Sequence, residues 1–202
     1  MAAGVTFNER MDGFLSSCEG TPESREDYRA RYQQAKGAGD GDGCHFEATM
    51  LMEDIAAYVR DPQHLARMTG TFHWGPVGVA AMRDGEFQLF VKNPETGTRE
   101  MRYRFTFDGP DGEPLTFVGV KWMRPKARIN TWSPSTTLYS RIERADGTVA
   151  WCGILKIGLV ETLKLFRSTR PVGAADRADG RRAVWAFNRF FAREQLALLR
   201  DG

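Results

Sequence analysis

"MRYRFTFDGPDGEPLTFVGVKWM", residues 101–123, is the stretch on which the fold turns. Its first seven residues alternate, with Met101, Tyr103, Phe105 and Phe107 on one face and Arg102, Arg104 and Thr106 on the other. Apolar side chains at period two mark a strand with one buried face and one wet face. A run of turn formers, DGPDGEP, follows, and LTFVGVKWM then resumes the strand. The unit is an antiparallel hairpin. In its second strand apolar residues occupy both parities, so periodicity leaves the inward face open.

The same pattern spreads outward in both directions. EFQLFVK (86–92) follows an Asp84-Gly85 turn, and TTLYSRIE (136–143) with TVAWCGILKI (148–157) flank the turn RADG. Earlier strands are expected over 5–17, 44–53 and 68–74, giving about eight in all. Helices are expected over TPESREDYRARYQQAKG, ending at Gly37, and over 54–68, opening at Asp54 and interrupted by Pro62. The strongest helical pattern is GRRAVWAFNRFFAREQLALL (180–199), where Val184, Phe187, Phe191, Leu196 and Leu199 form an apolar stripe.

Eight half-buried strands must hide one face and leave no bare edge, and closing the sheet does both. The expectation is a mainly β, single-domain chain over 1–202. An eight-stranded antiparallel barrel of the lipocalin or allene-oxide-cyclase kind spans 5–175 with short helical insertions. A C-terminal helix covers 177–200. A two-sheet sandwich is the competing arrangement.

Composition narrows the partners. With 28 Lys and Arg against 26 Asp and Glu, the net charge of +2 gives no nucleic-acid footprint. Arg177, Arg181 and Arg182 are interleaved with Asp176 and Asp179 and read as a solvated helix start. Cys18, Cys44 and Cys152 form no CxxC pair, which points to a reduced, cytoplasmic setting. MAAGVTFNERMDGF lacks the basic-then-apolar order of a signal peptide, and no apolar window is long enough for a membrane span.

The glycine-rich stretch GAGDGDGCHF (37–46) invites a cofactor reading and fails it. A dinucleotide fingerprint lies between a strand and a following helix, whereas here a helix precedes and a strand follows. A calcium loop starting at Asp40 would need Glu at its twelfth position, where Leu51 stands. The stretch is read as a connector. His45, His64 and His73 show no metal-ligand spacing, so no metal and no cofactor are expected.

Chemistry, if present, rests on a few polar residues in apolar strands. Glu9 shares parity with Phe7 and Met11, so its carboxylate points inward and can serve as acid or base. Lys121 lies between Val120 and Trp122, and a Glu9–Lys121 pair fits both. Tyr103 can aim its hydroxyl at a ligand carbonyl. Phe87, Met101, Phe105, Trp122, Tyr139 and Trp151 are the candidate walls of an apolar pocket.

The order of several short motifs resembles the accessory β-rich domain of bacterial GMC-type, cholesterol-oxidase-like oxidoreductases. They are Phe7-Asn8-Glu9-Arg10-Met11-Asp12-Gly13, Gly85-Glu86-Phe87-Gln88-Leu89-Phe90 and Met101-Arg102-Tyr103. Gly119-Val120-Lys121, Thr136-Thr137-Leu138-Tyr139 and NRFFA at 188–192 complete the series. The resemblance implies contact with sterol- or lipid-like molecules and a link to a partner oxidoreductase. It transfers no catalytic residue, because these 202 residues contain neither a flavin site nor a G-x-S-x-G elbow.

Two functions fit. One is a cofactor-independent cyclase or isomerase acting on a hydrophobic, polyketide-like intermediate, by analogy with small barrels. The other is a non-catalytic lipid- or sterol-binding or accessory module partnering an oxidoreductase, and a homodimer is compatible with either. The enzyme requires a closed, apolar pocket with an inward polar group among Glu9, Tyr103 and Lys121, whereas a docking module requires a filled barrel and an exposed apolar patch.

Overall fold

The structure, a computed structural model, describes residues 3–38, 43–123, 137–157 and 168–200. In chain order the elements are β1 (Gly4–Ser17), α1 (Arg25–Ala38), β2 (Gly43–Met52), α2 (Ile55–Arg60), β3 (Leu65–Trp74) and β4 (Gly78–Ala81). They continue with β5 (Arg83–Lys92), β6 (Arg99–Asp108), β7 (Pro114–Met123), β8 (Thr137–Glu143), β9 (Val149–Lys156), β10 (Arg170–Val172) and α3 (Arg177–Arg200).

Eight strands close a ring in the order β1-β2-β3-β5-β6-β7-β8-β9 and back to β1, every pair antiparallel. The chain is an antiparallel barrel with a C-terminal helix, and no helix among the described residues is long and apolar enough to cross a membrane. β1 makes the closure possible: Val5 to Phe14 pair with β2, while Asp12 to Ser17 pair with β9. Gly13 sits where the two partners meet. A Cβ there would stand 2.0 Å from the Ile154 carbonyl oxygen, so only glycine lets the strands approach.

The hairpin of β6 and β7 resolves the parity question. Phe105 lies opposite Phe117, Tyr103 opposite Gly119 and Met101 opposite Lys121. Cross-strand partners share a face, so Leu115, Phe117, Gly119, Lys121 and Met123 point inward and Trp122 outward.

Residues 54–68 do not form one interrupted helix. Asp54 caps α2 by accepting from the Ala57 N–H, and the helix ends at Arg60. From Leu65 the chain is strand, paired with β2 on one side and β5 on the other. Pro62 cannot continue a helical ladder, and Ala66 and Met68 fill the barrel at period two. β4 and β10 were not foreseen because they are short and largely exposed. α1 runs one residue past Gly37 and β2 starts at Gly43, while positions 39–42 of the proposed connector lie outside the described residues.

A column of aromatics fills much of the interior. Phe105 stacks on Phe117 at 4.7 Å, Phe72 meets Phe107 at 5.1 Å, and Trp74 meets Trp151 edge-on at 5.0 Å. At the opposite end α3 closes over the barrel, with Phe187 stacked on Phe7 at 5.8 Å and Arg99 bonded to Glu194. The apolar stripe of α3 differs from expectation at Leu196, which is 56% exposed. Leu196 follows the buried Phe187 by nine residues, about half a turn out of phase, so it faces away from the barrel. A second cluster lies outside the barrel wall, where Tyr28 of α1 covers Tyr139, Cys152 and Ile154.

Candidate active site

Glu9, Tyr103 and Lys121 come together inside the barrel. Tyr103 on β6 and Lys121 on β7 are diagonal neighbours of one inner face. β1, which carries Glu9, is four strands from β6 in either direction around the ring, so the carboxylate reaches across the lumen. Lys121 Nζ donates to Glu9 Oε1 at 2.7 Å, and the Tyr103 hydroxyl donates to Glu9 Oε2 at 2.8 Å. The ammonium also stands 4.9 Å from the centre of the Tyr103 ring. Exposure is 5% for Glu9, 1% for Tyr103 and 2% for Lys121, which places the whole group out of water.

That burial sets the electrostatics. A lone charge here would be costly, and each partner removes part of the cost for the other. Each oxygen of Glu9 has its own donor. The Tyr103 hydroxyl is held well above its ordinary range, first by burial and then by the adjacent Glu9 charge and the bond donated to it. It therefore stays protonated. The group is a carboxylate held between two proton donors in an apolar lumen, an arrangement that can move a proton or stabilise a developing oxyanion.

The expected pocket walls divide into two sets. Phe87 packs edge-on against Tyr103 at 4.9 Å, and Met101 lies opposite Lys121 on the inner face. Phe105 also points inward, one layer deeper. Trp151 is half-buried and lies at the far end, against Trp74. Trp122 and Tyr139 are on the outer wall, 4.5 Å apart, with Arg25 over both rings. They do not reach the lumen, because Trp122 has the opposite parity to Lys121. Trp132 lies outside the described residues.

Sequence reasoning missed Phe46 and Phe187 as neighbours of this centre, and placed Phe7 on the face of Glu9 without counting it among the walls. Phe46 lies 5.9 Å from Tyr103, and Phe7 packs against Phe87 at 5.9 Å. The alternation of Cys44, Phe46, Ala48 and Met50 in β2 would have signalled Phe46, since Ala48 pairs with Glu9. No local signal links Phe187 to the barrel.

Two further features involve none of Glu9, Tyr103 and Lys121. His45 and His73, unrelated by spacing, are register partners on β2 and β3 with rings stacked at 4.1 Å. Among the described residues no group of three or more His, Cys, Asp or Glu side chains could hold a metal. A groove of about 770 Å³ runs between α2 and β3–β5, floored by Met52, Met68 and Met82. Tyr58 contributes to its wall, and the buried Tyr58 hydroxyl has no hydrogen-bond partner among the described residues.

Compared with protein-family models, curated proteins and solved structures, the chain gives no match.

Proposed function

We propose that the barrel is a cofactor-independent cyclase or isomerase that folds a hydrophobic, polyketide-like intermediate against Glu9, Lys121 and Tyr103. The observation that carries this reading is the meeting of these three side chains across the lumen, buried and hydrogen-bonded. Glu9 accepts a proton from an acidic carbon of the substrate and returns it at another position. Lys121 and Tyr103 turn their donors to the enolate oxygen that forms meanwhile. No atom is gained or lost, so the product has the mass of the substrate. Phe87, Met101 and Phe105 supply the apolar surface that folds the chain.

A panel of linear poly-β-keto thioesters and polyenes, incubated with the protein, tests this reading by mass spectrometry and chromatography. A new product of unchanged mass is expected, with Glu9→Gln slowing its formation by about 10²–10⁴-fold. Equal product with wild-type protein, folded Glu9→Gln and buffer alone overturns it.

A second reading is a non-catalytic module that binds a lipid or sterol, or docks on a separate oxidoreductase. The satisfied state of Glu9, with one donor on each oxygen, supports it, since a purely structural pair looks the same. Retention of a sterol or fatty acid with no conversion in the same incubations would favour it.

A further inference from the structure

The outward face of α3 is unusual for a solvated helix. At about 100° per residue its exposed positions fall on one arc of about 160°. Ala192, Trp185 and Leu196 form the middle of that arc. Arg177 and Arg181 border one side, and Arg182, Arg189 and Arg193 the other. Trp185 is 62% exposed and Leu196 56%, so neither is used in the core. Val172 of β10, against which α3 packs, adds a third exposed apolar side chain.

The charge on this face has one sign. Asp179 is half-buried and bonded to Arg182, and Glu194 is buried and bonded to Arg99. No carboxylate of α3 lies on the exposed arc, whereas an ordinary solvated face mixes both signs. The balanced net charge of +2 hides this concentration.

We propose that α3 docks the barrel on the surface of an anionic lipid bilayer. Trp185 and Leu196 enter the boundary between headgroups and acyl chains, and the five arginines meet lipid phosphates. An apolar stripe with a central tryptophan, bordered by arginines, is the composition of a helix that lies in the membrane plane. The arginines lay their apolar stems along the stripe and keep their guanidinium groups at headgroup level. A nucleic acid would reward the arginines equally but gains little from Leu196 and Ala192. The inner face of α3 stays on the barrel, so docking requires no unfolding, and it is independent of the chemistry inside.

Vesicle flotation tests the proposal, using phosphatidylcholine alone and phosphatidylcholine mixed with phosphatidylglycerol. The protein is expected to float with the mixed vesicles, to stay behind with phosphatidylcholine alone, and to be released by salt. Arg181→Gln with Arg189→Gln should weaken partitioning by about 30-fold. Trp185→Ala should weaken it separately, and brominated lipid should quench wild-type fluorescence more than that of Trp185→Phe. All these side chains are exposed, and thermal melts verify that each variant folds. Failure to float with the mixed vesicles overturns the proposal. So does Trp185→Ala binding as wild type while a single-stranded oligonucleotide competes for the arginines.

Discussion

Glu9 and Lys121 stand 112 residues apart in the chain and 2.7 Å apart inside the barrel. Neither is stable there alone, which makes the pair a test of its own energetics. Lys121→Met should destabilise the protein by about 3–5 kcal/mol, because it removes the cation and leaves the Glu9 carboxyl group with one donor in an apolar lumen. Glu9→Leu combined with Lys121→Met should recover most of that loss. Urea unfolding of both variants measures the difference, and a double variant as weak as the single one would show that the pair is not the source.

Tyr103→Phe removes the other donor to Glu9 without changing the packing around the ring. A hydrogen bond to a charged group is worth about 1.5–3 kcal/mol, and a loss of that size is expected in the same unfolding experiment. On the proposed function, turnover should fall further than stability accounts for.

Tyr58 offers the opposite sign. Its hydroxyl is buried without a partner among the described residues, and burial pushes its ionisation far above the ordinary range. Tyr58→Phe removes the unsatisfied group and keeps the ring contacts with Phe190 and His64. A gain of about 1 kcal/mol is expected, read as a rise in Tm.

His45 gives a pH dependence. Burial lowers its pKa, with Arg10 and the stacked His73 adding to the effect. The unfolded chain therefore binds a proton at His45 more readily than the folded one, and stability rises with pH across that window. The contribution is full above the ordinary histidine pKa, about 6.5, and is lost as pH falls below it towards the depressed folded value. Unfolding measured between pH 8 and pH 5 should show the loss, and His45→Gln should flatten that part of the profile.

Gly13→Ala tests the seam of the barrel. The added methyl would stand 2.0 Å from the Ile154 carbonyl oxygen, a backbone atom that cannot rotate away. A loss of about 3 kcal/mol or more is expected, or a chain that does not close. Gly112→Ala is a weaker change, because nothing lies near its Cβ position and only the positive φ of 77° opposes it.

The strands and their inward residues were largely legible where one parity was apolar. Phe7, Glu9 and Met11 of β1 and Met101, Tyr103 and Phe105 of β6 declared their face in the sequence. Where both parities were apolar, as in LTFVGVKWM, only the register with β6 assigned Lys121 inward and Trp122 outward. Aromatic richness was a poor guide, since Trp122 and Tyr139 serve the roof formed by α1 and not the lumen. The stretch 54–68 misled because a helical start at Asp54 and a strand from Leu65 are joined without a glycine between them.

Alternation and turn chemistry are properties of a few consecutive residues, and through them the sequence alone determined the strands, the hairpins and the need to close. Which strands met across the lumen depended on the order of the ring, and that order is a global property. It placed β6 opposite β1 and so brought Tyr103 and Lys121 to Glu9. The exposed arc of α3 shows the same division. Its helical period was written in the sequence, but which side faced water was settled only when Phe187 packed on Phe7.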